Sequence, residues 1–119
     1  MNVLIVEDEA ITVMFITKLF RKLGHTIVGV TSLGEEVLDL VSETKPDLIL
    51  MDINLAGRIN GISAAKEVRE KFAIPIVFAT AYNNHETRCL IEEIPNAFFQ
   101  PKPLIISDLS TLIESLEKF

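Results

Sequence analysis

Three runs of four residues, Val3-Leu4-Ile5-Val6, Leu48-Ile49-Leu50-Met51 and Ile76-Val77-Phe78-Ala79, contain no polar side chain. A strand with one wet face alternates apolar and polar residues, so an unbroken apolar run of this length describes a strand covered on both sides. Two further extended stretches accompany them, Thr26-Ile27-Val28-Gly29-Val30 and Ala97-Phe98-Phe99-Gln100. Between the strands the apolar period changes to that of a helix. Val13, Ile16, Leu19, Phe20 and Leu23 recur at three- and four-residue steps before Gly24, which predicts an amphipathic helix with a glycine stop. Val37, Leu38 and Val41 predict a second helix, opened by the capping-box spacing Ser32-x-x-Glu35 and broken at Lys45-Pro46-Asp47. Ile62, Ala65, Val68 and Phe72 mark a third with Asn60 as its cap, and Leu109, Leu112, Ile113 and Leu116 a last one capped by Ser107 or Asp108. A shorter helix is expected between Asn84 and Glu93, with Leu90 and Ile91 inward and Pro95 ending it, on a weak periodicity.

Five strands alternating with five helices imply right-handed crossovers, hence an α/β domain with a parallel sheet and helices on both faces. At 119 residues, 49% of them hydrophobic, the chain fills one core and leaves no room for a second domain; residues 1–119 are read as one unit. A net charge of -6 comes without the clustered Lys and Arg that phosphate backbones require, so no direct contact with nucleic acid is expected. No apolar run approaches the ~20 residues of a membrane span, and no basic-then-apolar leader opens the chain. The single cysteine, Cys89, has no internal disulfide partner. These features lead to the expectation of a cytoplasmic protein with no membrane partner.

In an open sheet of this class the site lies beyond the carboxyl ends of the strands, where the winding direction reverses. Those ends carry Glu7 and Asp8 after the first strand, Asp52 after the third, Thr80 after the fourth and Lys102 after the fifth. Each has an ordinary structural role open to it: Asp8 as a helix cap, Thr80 as a turn hydroxyl, Lys102 as a solvated charge. Together they place three carboxylates, a hydroxyl and an ammonium on one rim, and an acidic rim of that kind is suited to collecting a cation.

The order and spacing of Val6-Glu7-Asp8-Glu9, of Asp52 after an apolar strand, of Thr80-Ala81 and of Lys102-Pro103 resemble the receiver domain of two-component response regulators. The likeness runs from Asn2 to about Lys118. It implies a flavodoxin-like, doubly wound sheet of strand order 2-1-3-4-5. It also implies that Asp52 is the nucleophile that takes a phosphoryl group from phosphohistidine, with a sensor histidine kinase or histidine phosphotransfer domain as donor. Glu7, Asp8, Asp52 and the backbone carbonyl of Asn54 would then hold Mg²⁺ or Mn²⁺, whose preference for oxygen ligands suits the rim and whose charge offsets the crowding of anions. Thr80 and Lys102 would contact the phosphoryl oxygens, and Thr80 with Phe99 would form the switch. The family's Lys-Pro bond, here Lys102-Pro103, is commonly cis. Readout, including a homodimer, would use the fourth helix, fifth strand and fifth helix, where Ile91, Phe98, Ile105 and Ile106 leave apolar area. Such a domain is not an enzyme toward a separate substrate; it catalyses only its own phosphoryl gain and loss.

The chain departs from the family pattern in several places. The loop Leu55-Ala56-Gly57-Arg58-Ile59-Asn60-Gly61 lacks the usual proline and is one residue longer, which leads to the expectation of greater mobility. Glu7 replaces a commoner Asp, Pro101 removes a backbone donor before Lys102, and Pro95-Asn96 stands for Ala-Gly. Asn54 and Tyr82, two residues beyond Asp52 and Thr80, occupy positions that tune phosphate lifetime in the family. Two alternatives stay open at this point. One is a haloacid-dehalogenase-like aspartyl phosphatase, although that family wants Asp-x-Asp where this chain has Asp52-Ile53-Asn54. The other is a docking module that is never phosphorylated. Either a single-domain regulator or a piece of a longer regulator or hybrid kinase fits the chain.

Overall fold

A computed structural model describes residues 1–81 and 84–117. The elements alternate as expected: β1 (Asn2–Val6), α1 (Ala10–Lys22), β2 (Thr26–Thr31), a 3-10 turn (Gly34–Glu36) leading into α2 (Val37–Thr44), β3 (Leu48–Met51), α3 (Gly61–Lys71), β4 (Ile76–Thr80), α4 (His85–Glu92), β5 (Ala97–Pro101) and α5 (Ile106–Glu117). All strand pairs are parallel, and the order is β2-β1-β3-β4-β5.

The unbroken apolar runs have the two-sided cover they call for. Leu4, Val6, Ile49, Met51, Ile76 and Phe78 pack with Val37, Val41, Ile62, Ala65, Val68 and Ile91, on the face covered by α2, α3 and α4. Their neighbours Val3, Ile5, Leu48, Leu50, Val77 and Ala79 pack with Ile16, Phe20, Leu109 and Ile113, under α1 and α5. Successive residues along a strand point to opposite faces, so each run feeds both cores. In β1, β3 and β4 every apolar position is buried, whereas β2 and β5, each with one unpaired edge, are only half covered along most of their length.

Local sequence sets the helix ends. At the close of α1, Gly24 takes φ 86°, its amide donates to Arg21 and that of His25 to Phe20, satisfying two terminal carbonyls in the paired pattern a glycine permits. Asn60 and Asn84 cap α3 and α4 through their side-chain oxygens, which accept from the amides of Ser63 and Thr87 at 2.9 and 2.7 Å. Asn96 enters β5 with φ 58°, a conformation Asn tolerates, so Pro95-Asn96 turns the chain where Ala-Gly would otherwise do so. Arg69 closes this end of the sheet: its guanidinium donates to the carbonyls of Phe72 at 2.7 Å, Ile74 at 2.8 Å and Asn96 at 3.3 Å, at the starts of β4 and β5.

Three expectations require correction. The Ser32-x-x-Glu35 capping box does not form; the Thr31 hydroxyl donates to Glu36 and accepts from the Leu33 amide, while Glu35 turns to the loop after β3. Ser107 and Asp108 lie inside the first turn of α5 rather than capping it, and Leu109 donates to the carbonyl of Ile105. Leu90 is exposed and only Ile91 faces the core, so Ile91 adds nothing to an apolar surface. The loop after β3 is tied to its surroundings at several points, described below. Tyr82 lies outside the described residues.

Candidate functional site

Register explains the meeting of the acids. β1 and β3 are neighbours in space although β2 intervenes in sequence, and Val6 is level with Met51. The next residue on each strand is therefore Glu7 or Asp52, and the ladder continues one step further, with the Asp52 amide donating to Val6 at 2.9 Å. The winding reverses here, since β2 lies beyond β1 and β4 beyond β3. One carboxylate oxygen from each of Glu7, Asp8 and Asp52 lies within 4.8 Å of the others. Glu7 and Asp52 are buried and Asp8 is exposed, so the trio opens to solvent on one side.

Lys102 enters from the end of β5, whose last residue is level with Thr80, and its amide donates to the Thr80 carbonyl at 3.0 Å. The Lys102-Pro103 bond is cis. The Lys102 ammonium spans two acids, donating to Glu7 in a short contact and to Asp52 Oδ2 at 3.0 Å. Asp52 Oδ1 accepts from the Ile53 amide at 2.7 Å, and Glu7 Oε2 accepts from the Asp8 and Glu9 amides at 3.0 and 3.3 Å. Burial pushes the Glu7 carboxyl up to about 7 against the pull of Lys102, with Asp52 adding to the rise. Burial works against the Lys102 ammonium as well, yet its hydrogen bonds to Glu7 and Asp52 outweigh that and lift it above its ordinary value.

Thr80 is fully buried at the end of β4. Phe99, level with Phe78 on the neighbouring strand, packs partly into the core under α3 and α4, and the Arg88 guanidinium lies 5.2 Å from the centre of its ring. Asn54 is exposed in the loop that follows the acid. The expected residues Glu7, Asp8, Asp52 and Lys102 are thus brought into one cluster, with Thr80 joined to it through Lys102. Phe99 stands one strand away, beside β4. Sequence reasoning did not single out Arg88, and it gave Glu35 a different partner. An i, i+4 companion search cannot find either contact, because both cross between elements.

A family model described as the response regulator receiver domain matches residues 3–114. The chain belongs to that family. PdtaR of Mycobacterium tuberculosis, a transcriptional regulatory protein, is 39% identical over 95% of this chain and 55% of its own length. The phyllosphere-induced regulator PhyR of Methylorubrum extorquens is 37% identical over 94% of this chain and 42% of its own length. The receiver therefore spans about half the length of these curated relatives. Among solved structures, the receiver domain of Erythrobacter litoralis PhyR superposes with a TM-score of 0.84 at 35% identity, covering 99% of this chain and 90% of that one. The signal receiver domain of a diguanylate cyclase from Desulfovibrio desulfuricans gives a TM-score of 0.88 at 29% identity, covering 98% and 94%. Membership of this two-component signalling family sets aside the phosphatase alternative. Among the described residues, no helix of the receiver is long and apolar enough to cross a membrane.

Proposed function

We propose that Asp52 is the phosphoacceptor of this receiver and that the phosphoryl group comes from a phosphohistidine on a kinase or phosphotransfer protein. The observation that carries the reading is the convergence of the Glu7, Asp8 and Asp52 carboxylates within 4.8 Å, with Lys102 bridging two of them. The donor set is all oxygen, with two buried carboxylates and one open to water, which fits a hard divalent cation that keeps part of its hydration. Mg²⁺ or Mn²⁺ would be held by Glu7, Asp8, Asp52 and the backbone carbonyl of Asn54, and would offset the negative charge of the group being transferred.

The remaining work falls to the chain. A carboxylate oxygen of Asp52 attacks phosphorus, the bond from phosphorus to the imidazole nitrogen breaks, and the released histidine carries away the electron pair and is protonated from water. Lys102 already lies against Asp52 and pairs with a phosphoryl oxygen once the group arrives. The Thr80 hydroxyl, at the end of the adjacent strand, donates to another, and Phe99 follows the space that Thr80 leaves. Readout falls to the face of α4, β5 and α5, where Leu90, Ile105 and Ile106 are exposed and a second copy of the chain is one occupant. Ile11, Met14 and Phe15 are exposed on α1, and Ile11 and Phe15 border a groove of about 500 Å³ that runs to Lys102, Pro103 and Leu104. That apolar border gives a donor protein a surface next to the acid it must reach.

Acetyl phosphate with Mg²⁺ is expected to add one phosphoryl group by intact-mass measurement, and Asp52→Asn to prevent it. Absence of any mass increase with acetyl phosphate or a cognate kinase overturns the proposal, and absence of Mg²⁺ binding leaves the docking-module alternative in its place.

A further inference from the structure

The loop from Asp52 to Gly61 lacks a proline; Ile53, Leu55 and Ile59 pack against the core, while Asn54, Ala56, Gly57 and Arg58 are exposed and gain nothing from packing. Its exposed middle is held from the turn before α2. Glu35 Oε1 accepts from the amides of Arg58 at 3.2 Å and Ile59 at 3.3 Å. Gly57 has φ 89°, and a Cβ built on it would stand 2.6 Å from that same oxygen, so the backbone passes directly over the carboxylate. The neighbouring Gly34 is pressed as closely, since a Cβ there would lie 2.4 Å from the Ile59 carbonyl oxygen. Leu33 and Ala56 add an isolated parallel bridge. Among the described residues, Glu35 is the only side chain outside the Asp52–Gly61 segment that binds the backbone of this loop. Backbone hydrogen bonds, that of its own residue first and those from Ile59 and Arg58 after it, hold its carboxyl below the usual range, so it stays an anionic acceptor at neutral pH.

We infer that Glu35 is a positioning residue of the phosphoacceptor site, fixing the loop that carries Asn54 so that the Asn54 carbonyl stands ready as a cation ligand. The inference rests on the reading above, in which that carbonyl completes the oxygen set. Glu35 touches neither cation nor phosphoryl group; it acts by removing the entropy that a free loop would lose when its carbonyl is recruited. Glu7 and Asp52 follow strand ends whose ladders they extend through their amides, and the Asp8 amide is held by Glu7 Oε2. The loop ligand is the one in need of support.

The test compares wild type, Glu35→Ala and Glu35→Gln. Calorimetric titration with Mg²⁺ gives the affinity, hydrogen exchange at the Arg58 and Ile59 amides gives the state of the loop, and acetyl phosphate gives the rate across a range of Mg²⁺ concentrations. Glu35→Ala is expected to speed exchange at both amides and to weaken Mg²⁺ binding about tenfold, the lower end of what supporting partners of metal ligands contribute. It raises the Mg²⁺ concentration for half-maximal rate while leaving the rate at saturating Mg²⁺ unchanged. Glu35→Gln keeps the accepting Oε1 and recovers most of the affinity. Wild-type affinity in Glu35→Ala, or a lower saturating rate with no change in affinity, overturns the inference alone. A wild-type chain that binds no Mg²⁺ overturns the underlying reading and the inference with it.

Discussion

Lys102→Met deletes an ammonium while keeping most of the apolar stem, and it leaves Glu7 and Asp52 facing each other without their shared partner. The side chains of Glu7, Asp52 and Lys102 are 2%, 9% and 17% exposed, so the pair contacts sit largely out of water. At an effective dielectric near 20, unit charges about 4 Å apart interact by about 4 kcal/mol, and removing one partner of a buried pair costs about 3–5 kcal/mol. Partial exposure of Lys102 and Asp52 argues for the lower end, about 3 kcal/mol in the metal-free chain at neutral pH. The variant also has a route to relief. Glu7, already lifted to about 7 by burial, rises further without the lysine and takes up a proton at higher pH than in wild type, so the deficit narrows as pH falls toward about 7 and levels off below it. Mg²⁺ is the second route, because it satisfies the same carboxylates and no longer has to displace an ammonium. At a hundred times its dissociation constant a ligand stabilises the folded state by about 2.7 kcal/mol, enough to recover most of the loss. Urea unfolding with chelator and with Mg²⁺, at about pH 9 and about pH 7 in wild type and variant, reads all of these quantities. Metal-free stability equal to wild type, or a smaller stabilisation by Mg²⁺ than wild type shows, refutes the picture of Lys102 as the resting counter-ion of the acids.

Gly61→Ala places a methyl group 2.1 Å from the Asp52 carbonyl oxygen, so thermal unfolding is expected to show a loss of about 1–3 kcal/mol together with slower phosphorylation from a displaced acceptor. Asp8→Asn changes an exposed carboxylate, and metal-free stability should hold within about 0.5 kcal/mol while calorimetry shows Mg²⁺ binding weakened. For His25, burial first and the amine of Met1 second hold the imidazole below its ordinary value, against the opposing pull of Glu117; Phe20 meets its ring edge-on. A depressed value means the unfolded chain binds the proton more readily, so stability present above pH 6.5 is lost as pH falls through that range. His25→Gln should therefore show a shallower decline than wild type in unfolding midpoints between pH 7.5 and 5.

Much of the fold was legible because its signals are local. The apolar runs of β1, β3 and β4 announce strands covered on both faces, and Gly24, Asn60 and Asn84 mark helix ends by their own backbone and side-chain chemistry. Strand order is different in kind. No periodicity distinguishes 2-1-3-4-5 from another sequence of parallel strands, and that order came through the family likeness. In α4 the eight residues make barely two turns, too few for the apolar period to fix its phase, and Leu90 and Ile91 were both assigned inward where one faces water. The acids of the site were legible as strand-end residues, since an α/β sheet gathers those ends on one rim. What Lys102 and Glu35 bind was not. Lys102 reaches Glu7 across 95 residues, and Glu35 reaches Arg58 across 23, while the spacing Ser32-x-x-Glu35 matched a local capping pattern that the backbone does not adopt.

The contacts of Arg69 have a bearing on how this receiver transmits a signal. One planar cation there gathers three carbonyls from the far end of the sheet, including that of Asn96, which joins α4 to β5. These bonds join the starts of β4 and β5 at the end of the sheet opposite Asp52. The connection from α4 to β5 is thus tied down at Asn96, while the opposite end of the helix, capped by Asn84, follows the strand that ends in Thr80 beside Lys102.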